Sequence, residues 1–364
     1  MNYNTFNAVK AIENYLLEKN EIISKTKKEY LLSLKKILEK SGHELVAIHG
    51  PCSDGVISGV LLKFLFPEST VIPIDYWFIK DEYLGEISEK LPWKAIGDLS
   101  PLNQSLIKEL YFDHHRTSIG KTFNAEKVFF DANGESASSV LFDALKSKIN
   151  FPQHFEKLVE LTRITDTGNY PGDPPINPPK KVEKCSFDEL VWLFDDATSS
   201  CKNAFEVIDL IDGYFKEGVE YLNNESIQER IKHYREERKE AWELGQKIEN
   251  TDFLVFIVKD EQLDHRSLLR SILTRVNIGA ASVVEELDHS ARISLRIKKS
   301  YQKENKEWEK YRVDQLAKSM NGGGHMAASG AKTKTVQEAI EKISQWASEK
   351  GLNLIIADFR NIIE

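Results

Sequence analysis

The feature that most constrains this chain is a change of pattern near residue 44, where short β-rich runs begin to alternate with helical stretches. The predicted strands are 45–49, 71–77, 94–98, 110–114 and 128–131. The predicted helices among them are 56–64, 102–109, 136–146 and 155–164. Strands that alternate with helices usually pair in parallel, because each connection must cross back over the sheet. The fold class is therefore predicted to be α/β, with a parallel-sheet N-terminal domain covered by helices.

The pattern along the whole chain divides it into four predicted segments. Apolar residues recur at three- and four-residue intervals in 1–43, which predicts an N-terminal helical extension. The sheet domain is predicted to occupy 44–214. Segment 215–250 is highly charged with sparse apolar positions, which predicts a long, mostly exposed helical linker. The β-rich pattern returns in 251–364 and predicts a second, smaller α/β domain.

Charge and composition exclude several classes of protein. Lys and Arg number 49 against 57 Asp and Glu, and the net charge of -8 excludes a strongly basic nucleic-acid coat protein. The three cysteines are odd in number and far apart, which argues against a disulfide scaffold and favours a reducing compartment. We read no signal peptide at the N-terminus and no apolar run long enough to span a membrane. A cytoplasmic protein without a membrane partner is expected.

Polar side chains follow three of the predicted strands. His49 ends the first strand, Asp98 ends the third, and Asp113 with His114 and His115 closes the fourth. Open α/β sheets bind ligands at the carboxyl edge of their strands. The sequence therefore predicts a functional site at this edge.

The first motif is His49-Gly-Pro-Cys52-Ser-Asp54-Gly, directly after a strand. Histidine, cysteine and aspartate are all metal-ligand types, and a strand-to-helix turn can bring three of them to one point. The alternative is a tight turn in which Ser53 or Asp54 caps the following helix. Taken alone, the motif favours capping, because caps are far commoner than metal sites.

The later motifs are also ambiguous when each is taken alone. A lone aspartate at a strand end, such as Asp98, is usually a cap or turn residue. Adjacent histidines 114 and 115 need a turn to act together, since successive side chains of a strand point to opposite faces. Asp166 ends a predicted helix, where its charge opposes the helix dipole, so a cationic neighbour is expected.

The C-terminal domain contains one glycine-rich motif and one arginine-bearing strand. Gly322-Gly323-Gly324-His325 offers free backbone N–H groups suited to an anion, although a flexible turn would also explain the glycines. Arg292, Ser294 and Arg296 alternate on a predicted strand and form either a phosphate-binding face or ordinary surface.

The order of these motifs from about residue 44 to about 350 resembles the DHH phosphoesterase family, and the closing unit resembles its DHH-associated domain. The resemblance implies two Mn²⁺ ions held by His49, Cys52, Asp54, Asp98, His114 and Asp166. It implies catalytic roles for Asp113 and His115. It implies substrate binding by Ser294, Arg296, Gly322, Gly323, Gly324 and His325.

Cys52 is a departure from the family pattern, because it stands where relatives usually have an aspartate. A thiolate there favours softer divalent ions over Mn²⁺, whereas a neutral thiol weakens one metal position. The resemblance implies two-metal-ion hydrolysis of short oligonucleotides or small nucleotides. The alternatives are a cyclic-dinucleotide phosphodiesterase, a single-strand exonuclease and a catalytically silent nucleotide sensor; a homodimer is also an open alternative.

Overall fold

The structure is a computed structural model and describes residues 3–19, 23–99, 107–246, 251–259, 269, 272–273, 278–287, 290–298, 306–326 and 328–360. The chain forms two compact units. The first contains residues 1–172 and 178–234, and the second contains 173–177 and 235–364. The four-part division expected from the sequence remains a prediction, and residues 1–43 belong to the first unit.

The first unit contains a five-stranded sheet in which every pairing is parallel. Its strands are β1 (Leu45–His49), β2 (Thr70–Ile74), β3 (Trp93–Gly97), β4 (Ile107–Asp113) and β5 (Lys127–Phe130). Their order across the sheet is β2-β1-β3-β4-β5. The predicted α/β class with a parallel N-terminal sheet is confirmed.

Helices cover both faces of this sheet. They are α1 (Tyr3–Glu18), α2 (Lys25–Lys40), α3 (Ser53–Leu65), α4 (Tyr76–Lys80), α5 (Glu82–Lys90), α6 (Ala137–Leu145), α7 (Gln153–Asp166), α8 (Phe187–Ser199) and α9 (Ala204–Glu217). Short 3₁₀ helices occupy Arg116–Ser118, Val182–Lys184 and Gly218–Asn223.

The central strand β1 shows why both faces are covered. Val46 and Ile48 pack into one apolar cluster with α3 and α6 to α9, whereas Leu45 and Ala47 pack into another with α1, α2, α4 and α5. Alternate residues of a strand point to opposite faces, so a strand buried on both sides carries a continuous apolar run. The N-terminal helices are thus part of the core that supports the sheet.

Two of the predicted elements were wrong in part. The strand predicted at 71–77 ends at Ile74, because the Asp75 side chain accepts the N–H of Trp77 and caps α4. Tyr76 and Trp77 are therefore helical. The helix predicted at 102–109 is wrong for 107–109, which belong to β4, and its other residues lie outside the described part of the chain.

The second unit contains a mixed sheet of order β11-β6-β7-β8-β10-β9. Its strands are β6 (Thr251–Lys259), β7 (Ile278–Leu287), β8 (Ser290–Ile297), β9 (Gly323–His325), β10 (Ala328–Thr333) and β11 (Leu354–Asp358). The helices that follow β8 in the described residues are a 3₁₀ turn (Lys306–Tyr311), α11 (Val313–Ser319) and α12 (Val336–Glu349).

Helix α10 (Glu225–Gln246) begins in the first unit and ends in the second. The prediction that this region is mostly exposed was wrong for one face of the helix, where Ile227, Ile231 and Tyr234 are buried. The buried Arg238 donates from Nη1 to the carbonyl oxygen of Pro175 at 2.9 Å.

In the described part of the chain, none of the helices combines the length and apolar character that a membrane crossing requires.

Candidate metal centre

The turn between β1 and α3 carries the first motif. Cys52 is the N-cap of α3, and its Sγ accepts the N–H of Gly55 at 3.1 Å. A cap on Ser53 or Asp54 was therefore the wrong residue, since the Ser53 hydroxyl instead contacts the Thr165 hydroxyl at 2.8 Å. Gly55 is required here, because a Cβ would lie 1.6 Å from the carbonyl oxygen of His49. The turn thus brings Sγ of Cys52 to 3.2 Å from Nδ1 of His49 and places Asp54 in the first turn of α3.

Asp54 is fixed by a helix that is distant in sequence. Its Oδ2 accepts the N–H of Ala137 at 2.6 Å and its Oδ1 accepts the N–H of Ser138 at 2.9 Å, both in the first turn of α6. A carboxylate at a helix N-terminus is favoured by the helix dipole and by these unpaired N–H groups. The Asp54 side chain is completely buried, so it cannot reorient toward solvent.

Asp98 occupies a strained backbone position directly after β3. Its φ is +54°, in the left-handed region that disfavours residues with a Cβ, and its N–H donates to the carbonyl of Phe112 at 3.1 Å. Strain of this kind persists where the surrounding structure holds it and is common at functional sites. The carboxylate is buried, and its Oδ2 lies 3.1 Å from the Sγ of Cys52 and 3.6 Å from the Nδ1 of His49.

Asp113 provides the turn that the two adjacent histidines need. Its Oδ1 accepts the backbone N–H of His114 at 2.8 Å and that of His115 at 3.2 Å. Its Oδ2 accepts the hydroxyls of Tyr111 and Ser118, each at 2.8 Å. Burial acts to raise the pKa of Asp113, but the hydrogen bonds from His115 and these hydroxyls outweigh it and lower the pKa to about 2. Asp113 is therefore ionised at neutral pH.

The two imidazoles face different partners. His114 Nδ1 contacts the carbonyl of Gly134 at 3.1 Å, and its Nε2 lies 3.1 Å from Asp166 and 3.7 Å from Asp54. Burial acts to lower the pKa of His114, but the hydrogen bond to Asp166 and the charge of Asp54 raise it to about 9. When no ion is bound, His114 is thus the cationic neighbour expected for Asp166 at a helix C-terminus.

His115 is oriented by Asp113, whose Oδ1 lies 2.6 Å from its Nδ1. Because Asp113 is a carboxylate, this nitrogen carries the proton and the other ring nitrogen, Nε2, is left for chemistry.

Three overlapping groups of potential metal ligands result among the described residues, with the donor atoms of each within 4.8 Å of one another. They are His49 with Cys52 and Asp98, Asp98 with His114 and His115, and Asp54 with His114 and Asp166. Donors bound to one ion at about 2.0–2.3 Å lie about 3.0–3.7 Å apart. Two separations quoted above for the first group and two for the third fall in this interval, so both groups could hold an ion.

The charge of the cluster also fits a cation. Burial, followed by the neighbouring charge of Asp166, raises the pKa of Asp54. Burial, followed by Asp54, raises the pKa of Asp98 well above its ordinary value, and burial with Asp98 does the same for the Cys52 thiol. Two buried carboxylates and a thiol need positive charge to ionise together. A divalent ion supplies that charge.

Sequence reasoning missed several residues that support the cluster. Tyr76 lies with its ring centroid 4.5 Å from that of His49, and its hydroxyl lies 3.5 Å from the Nε2 of His115. It was assigned to a strand, although Asp75 before it carried a helix-cap signal. The Gly134 carbonyl, which contacts His114, and the N–H groups of α6, which donate to Asp54, belong to the backbone, so no residue type in the sequence marks them.

The residues expected to bind substrate lie in the second unit. Gly323 to His325 form the short strand β9, so the alternative of a flexible turn is wrong for them. The backbone register sets Arg296 opposite Ala328, and Ala328 opposite His325. The same register sets Ser294 opposite Gly330, and Gly330 opposite Gly323.

Close packing, rather than anion access, explains one glycine of this motif. A Cβ on Gly322 would lie 2.2 Å from the carbonyl oxygen of Gly330. On β8, Arg292 pairs with the buried Glu285, and Arg296 donates from Nη1 to the carbonyl of Leu295 at 2.8 Å.

The comparisons with known proteins agree with the fold described above. No protein-family model and no curated protein matches the sequence. The pGpG-specific phosphodiesterase PggH of Vibrio cholerae has a similar structure, with a TM-score of 0.58 and 16% identity over 85% of this chain and 99% of that one. RecJ of Thermus thermophilus in complex with Mn²⁺ has a TM-score of 0.52 and 12% identity over 93% of this chain and 57% of that one.

A third solved structure carries the name of the fold. It is the DHH domain of a protein described as a member of a ribosomal-protein family, with a TM-score of 0.51 and 14% identity over 93% of this chain and 97% of that one. The chain has the DHH fold. The resemblance drawn from the motifs is thus confirmed at the level of fold, and the DHH motif of this chain lies in the strand-end cluster described above.

Proposed function

We propose that this DHH-fold chain is a divalent-metal-dependent phosphodiesterase that hydrolyses short oligonucleotides or small nucleotides. The observation that carries the proposal is the convergence of His49, Cys52, Asp54, Asp98, His114 and Asp166 at one edge of the parallel sheet. Mn²⁺ is the proposed ion, since imidazole and carboxylate ligands dominate and RecJ structures of this fold hold it. The proposed location is the cytoplasm.

The proposed role of each side chain follows from its position. Two divalent ions, when bound, would neutralise phosphoryl charge and lower the pKa of a water molecule. Asp98 would hold one ion with His49 and Cys52 and also belongs to the ligand group that contains His114, while both oxygens of Asp54 already accept N–H groups. As water adds to phosphorus, it loses a proton to solvent and the ester P–O bond breaks; His115, when protonated on both ring nitrogens, would give the Nε2 proton to the leaving oxygen and regain one from solvent. Asp113 holds the opposite nitrogen.

Two observations favour a short substrate. A net charge of -8 disfavours the binding of long polyanions everywhere except at the carboxyl edge of the first sheet, where the metal ions would bind. The match to the pGpG-specific enzyme covers nearly all of that protein, whereas the match to RecJ covers little more than half of it.

The test is hydrolysis of a radiolabelled linear dinucleotide, cyclic di-AMP and long single-stranded DNA, each with Mn²⁺ and with EDTA. We expect the linear dinucleotide to be consumed fastest and only with Mn²⁺. Turnover of the cyclic substrate alone, or of long DNA alone, would overturn the short linear assignment. No hydrolysis, together with less than one bound ion per chain, would indicate a silent nucleotide sensor.

Substitution of Cys52 by aspartate should preserve activity and shift the metal preference toward Mn²⁺. Aspartate is a good N-cap, so α3 keeps the cap that Sγ now provides, while a hard oxygen replaces sulfur. The measurement is the ratio of turnover with Mn²⁺ to turnover with Zn²⁺ or Co²⁺, which should rise several-fold. Cys52→Ser keeps the cap without the charge and is the control. An unchanged ratio in Cys52→Asp would show that residue 52 does not contact the ion.

We further propose that Arg296, with Ser294, His325 and the glycines before it, binds a phosphate of the substrate. Arg296→Ala should then raise KM about tenfold or more with little change in kcat, as expected when a charged hydrogen bond made equally in ground and transition state is lost. Lys332→Ala is the control, since Lys332 is an exposed cation on the neighbouring strand β10. Equal KM values for the two variants would remove Arg296 from the site.

A further inference from the structure

Tyr76 is the aromatic residue placed between two of the histidines described above. It is the first residue of α4, and the register sets Ile74, at the end of β2, directly opposite His49 at the end of β1. Asp75 then caps α4 through the N–H of Trp77. The first turn of α4 is therefore built at the strand edge where the ligand groups lie.

The ring of Tyr76 packs against both imidazoles. Its centroid lies 4.5 Å from that of His49 at an interplanar angle of 54°, and 5.9 Å from that of His115 at 82°. Edge and tilted contacts at these distances are favourable for aromatic rings. His49 Nδ1 must face Cys52 and Asp98 to serve the first ligand group, at 3.2 Å and 3.6 Å. A ring packed on His49 opposes the rotation that would turn this nitrogen away.

The hydroxyl of Tyr76 acts on the other histidine. Asp113 fixes Nδ1 of His115, and the Tyr76 hydroxyl lies 3.5 Å from the opposite nitrogen, Nε2. A separation of 3.5 Å is longer than a strong hydrogen bond. The hydroxyl can therefore orient Nε2 without competing strongly with a leaving oxygen for it.

We propose that Tyr76 is a positioning residue that orients His49 through its ring and His115 through its hydroxyl. This inference rests on the proposed phosphodiesterase function and deepens it. It separates two effects of one side chain, because the ring acts on a metal ligand whereas the hydroxyl acts on the proton donor.

The test compares Tyr76→Phe with Tyr76→Leu in the full chain, using Mn²⁺ binding followed by EPR of the free ion as well as kcat and KM. Tyr76→Phe should bind Mn²⁺ like the wild type and lose kcat about threefold at unchanged KM, the lower end of the worth of one hydrogen bond. Tyr76→Leu should in addition lose about tenfold or more in Mn²⁺ affinity, as removal of a group that orients a ligand does. Phenylalanine thus rescues the metal affinity that leucine loses.

Tyr83→Phe and Tyr83→Leu are the matched controls, since Tyr83 lies on the next helix and stacks on Tyr15. Both should match the wild type in Mn²⁺ affinity and kcat. Wild-type Mn²⁺ affinity in Tyr76→Leu, or wild-type kcat in Tyr76→Phe, would overturn the inference. A wild-type protein that hydrolyses no phosphodiester would instead refute the proposed function, and the Mn²⁺ affinities would still test the action of the ring.

Discussion

Asp98→Asn is expected to lower turnover about a thousandfold or more, because charge stabilisation by a metal ion is worth several kcal/mol and Asp98 is shared by two of the three ligand groups. The amide keeps the size of the side chain but removes its negative charge. The measurement is kcat for the linear dinucleotide at saturating Mn²⁺.

Asp131→Asn is the matched control for this change. Asp131 follows β5 at the carboxyl end of the same sheet, but its side chain accepts the N–H of Asn133 at 2.9 Å and is in none of the ligand groups among the described residues. It should leave kcat unchanged. Equal losses of kcat in the two variants would mean that activity depends on the overall negative charge at this edge and not on Asp98 itself. Retained activity in Asp98→Asn would show that Asp98 is not part of the metal centre.

Asp113→Asn is expected to lower kcat about a hundredfold to ten-thousandfold, the range that a positioned proton donor contributes. The Asp113 carboxylate holds Nδ1 of His115 at 2.6 Å, and an amide cannot enforce the same protonation at that nitrogen. Folding should also be affected, because the buried carboxylate accepts hydroxyls from Tyr111 and Ser118 and both backbone N–H groups of the turn.

The pH dependence of stability follows from the pKa of Asp113. Its folded value of about 2 lies below the ordinary value near 4, so its contribution is present above pH 4 and is lost as the pH falls toward 2. Urea unfolding should show Asp113→Asn less stable than the wild type by about 2 kcal/mol at pH 7, with the difference shrinking below pH 4. Ser118→Ala removes one of the hydrogen bonds that lower this pKa, so it should cost about 1 kcal/mol at pH 7 and show the same pH dependence on a smaller scale. A difference in stability between the wild type and Asp113→Asn that stays constant down to pH 2 would contradict the low pKa assigned to Asp113.

The sheet and its polar edge could be predicted from the sequence, because strand ends are marked by local changes from apolar to polar residues. His49, Asp98 and the histidines at 114 and 115 each follow such a strand. A motif of this kind shows which residue types are present and at which residue the strand ends. It therefore predicts that these side chains lie at the same edge of the sheet, but not which of them contact one another.

The parts that could not be predicted depend on contacts between distant segments. Asp54 is held by α6, more than eighty residues away in the chain, and His114 by the carbonyl of Gly134. Tyr76 could not be predicted as part of the site, because the run of residues with high β-strand propensity continues past Ile74. In the structure, the helix cap made by Asp75 overrides that propensity. Likewise β9 forms only because β10 pairs with its glycines.

Mn²⁺ binding to the wild-type chain tests the central claim most directly. EPR of Mn²⁺-titrated protein should show two ions per chain with the exchange-coupled spectrum of a carboxylate-shared pair, and EDTA should abolish dinucleotide hydrolysis. A chain that binds no Mn²⁺, or that binds one isolated ion at full activity, would contradict the two-ion centre.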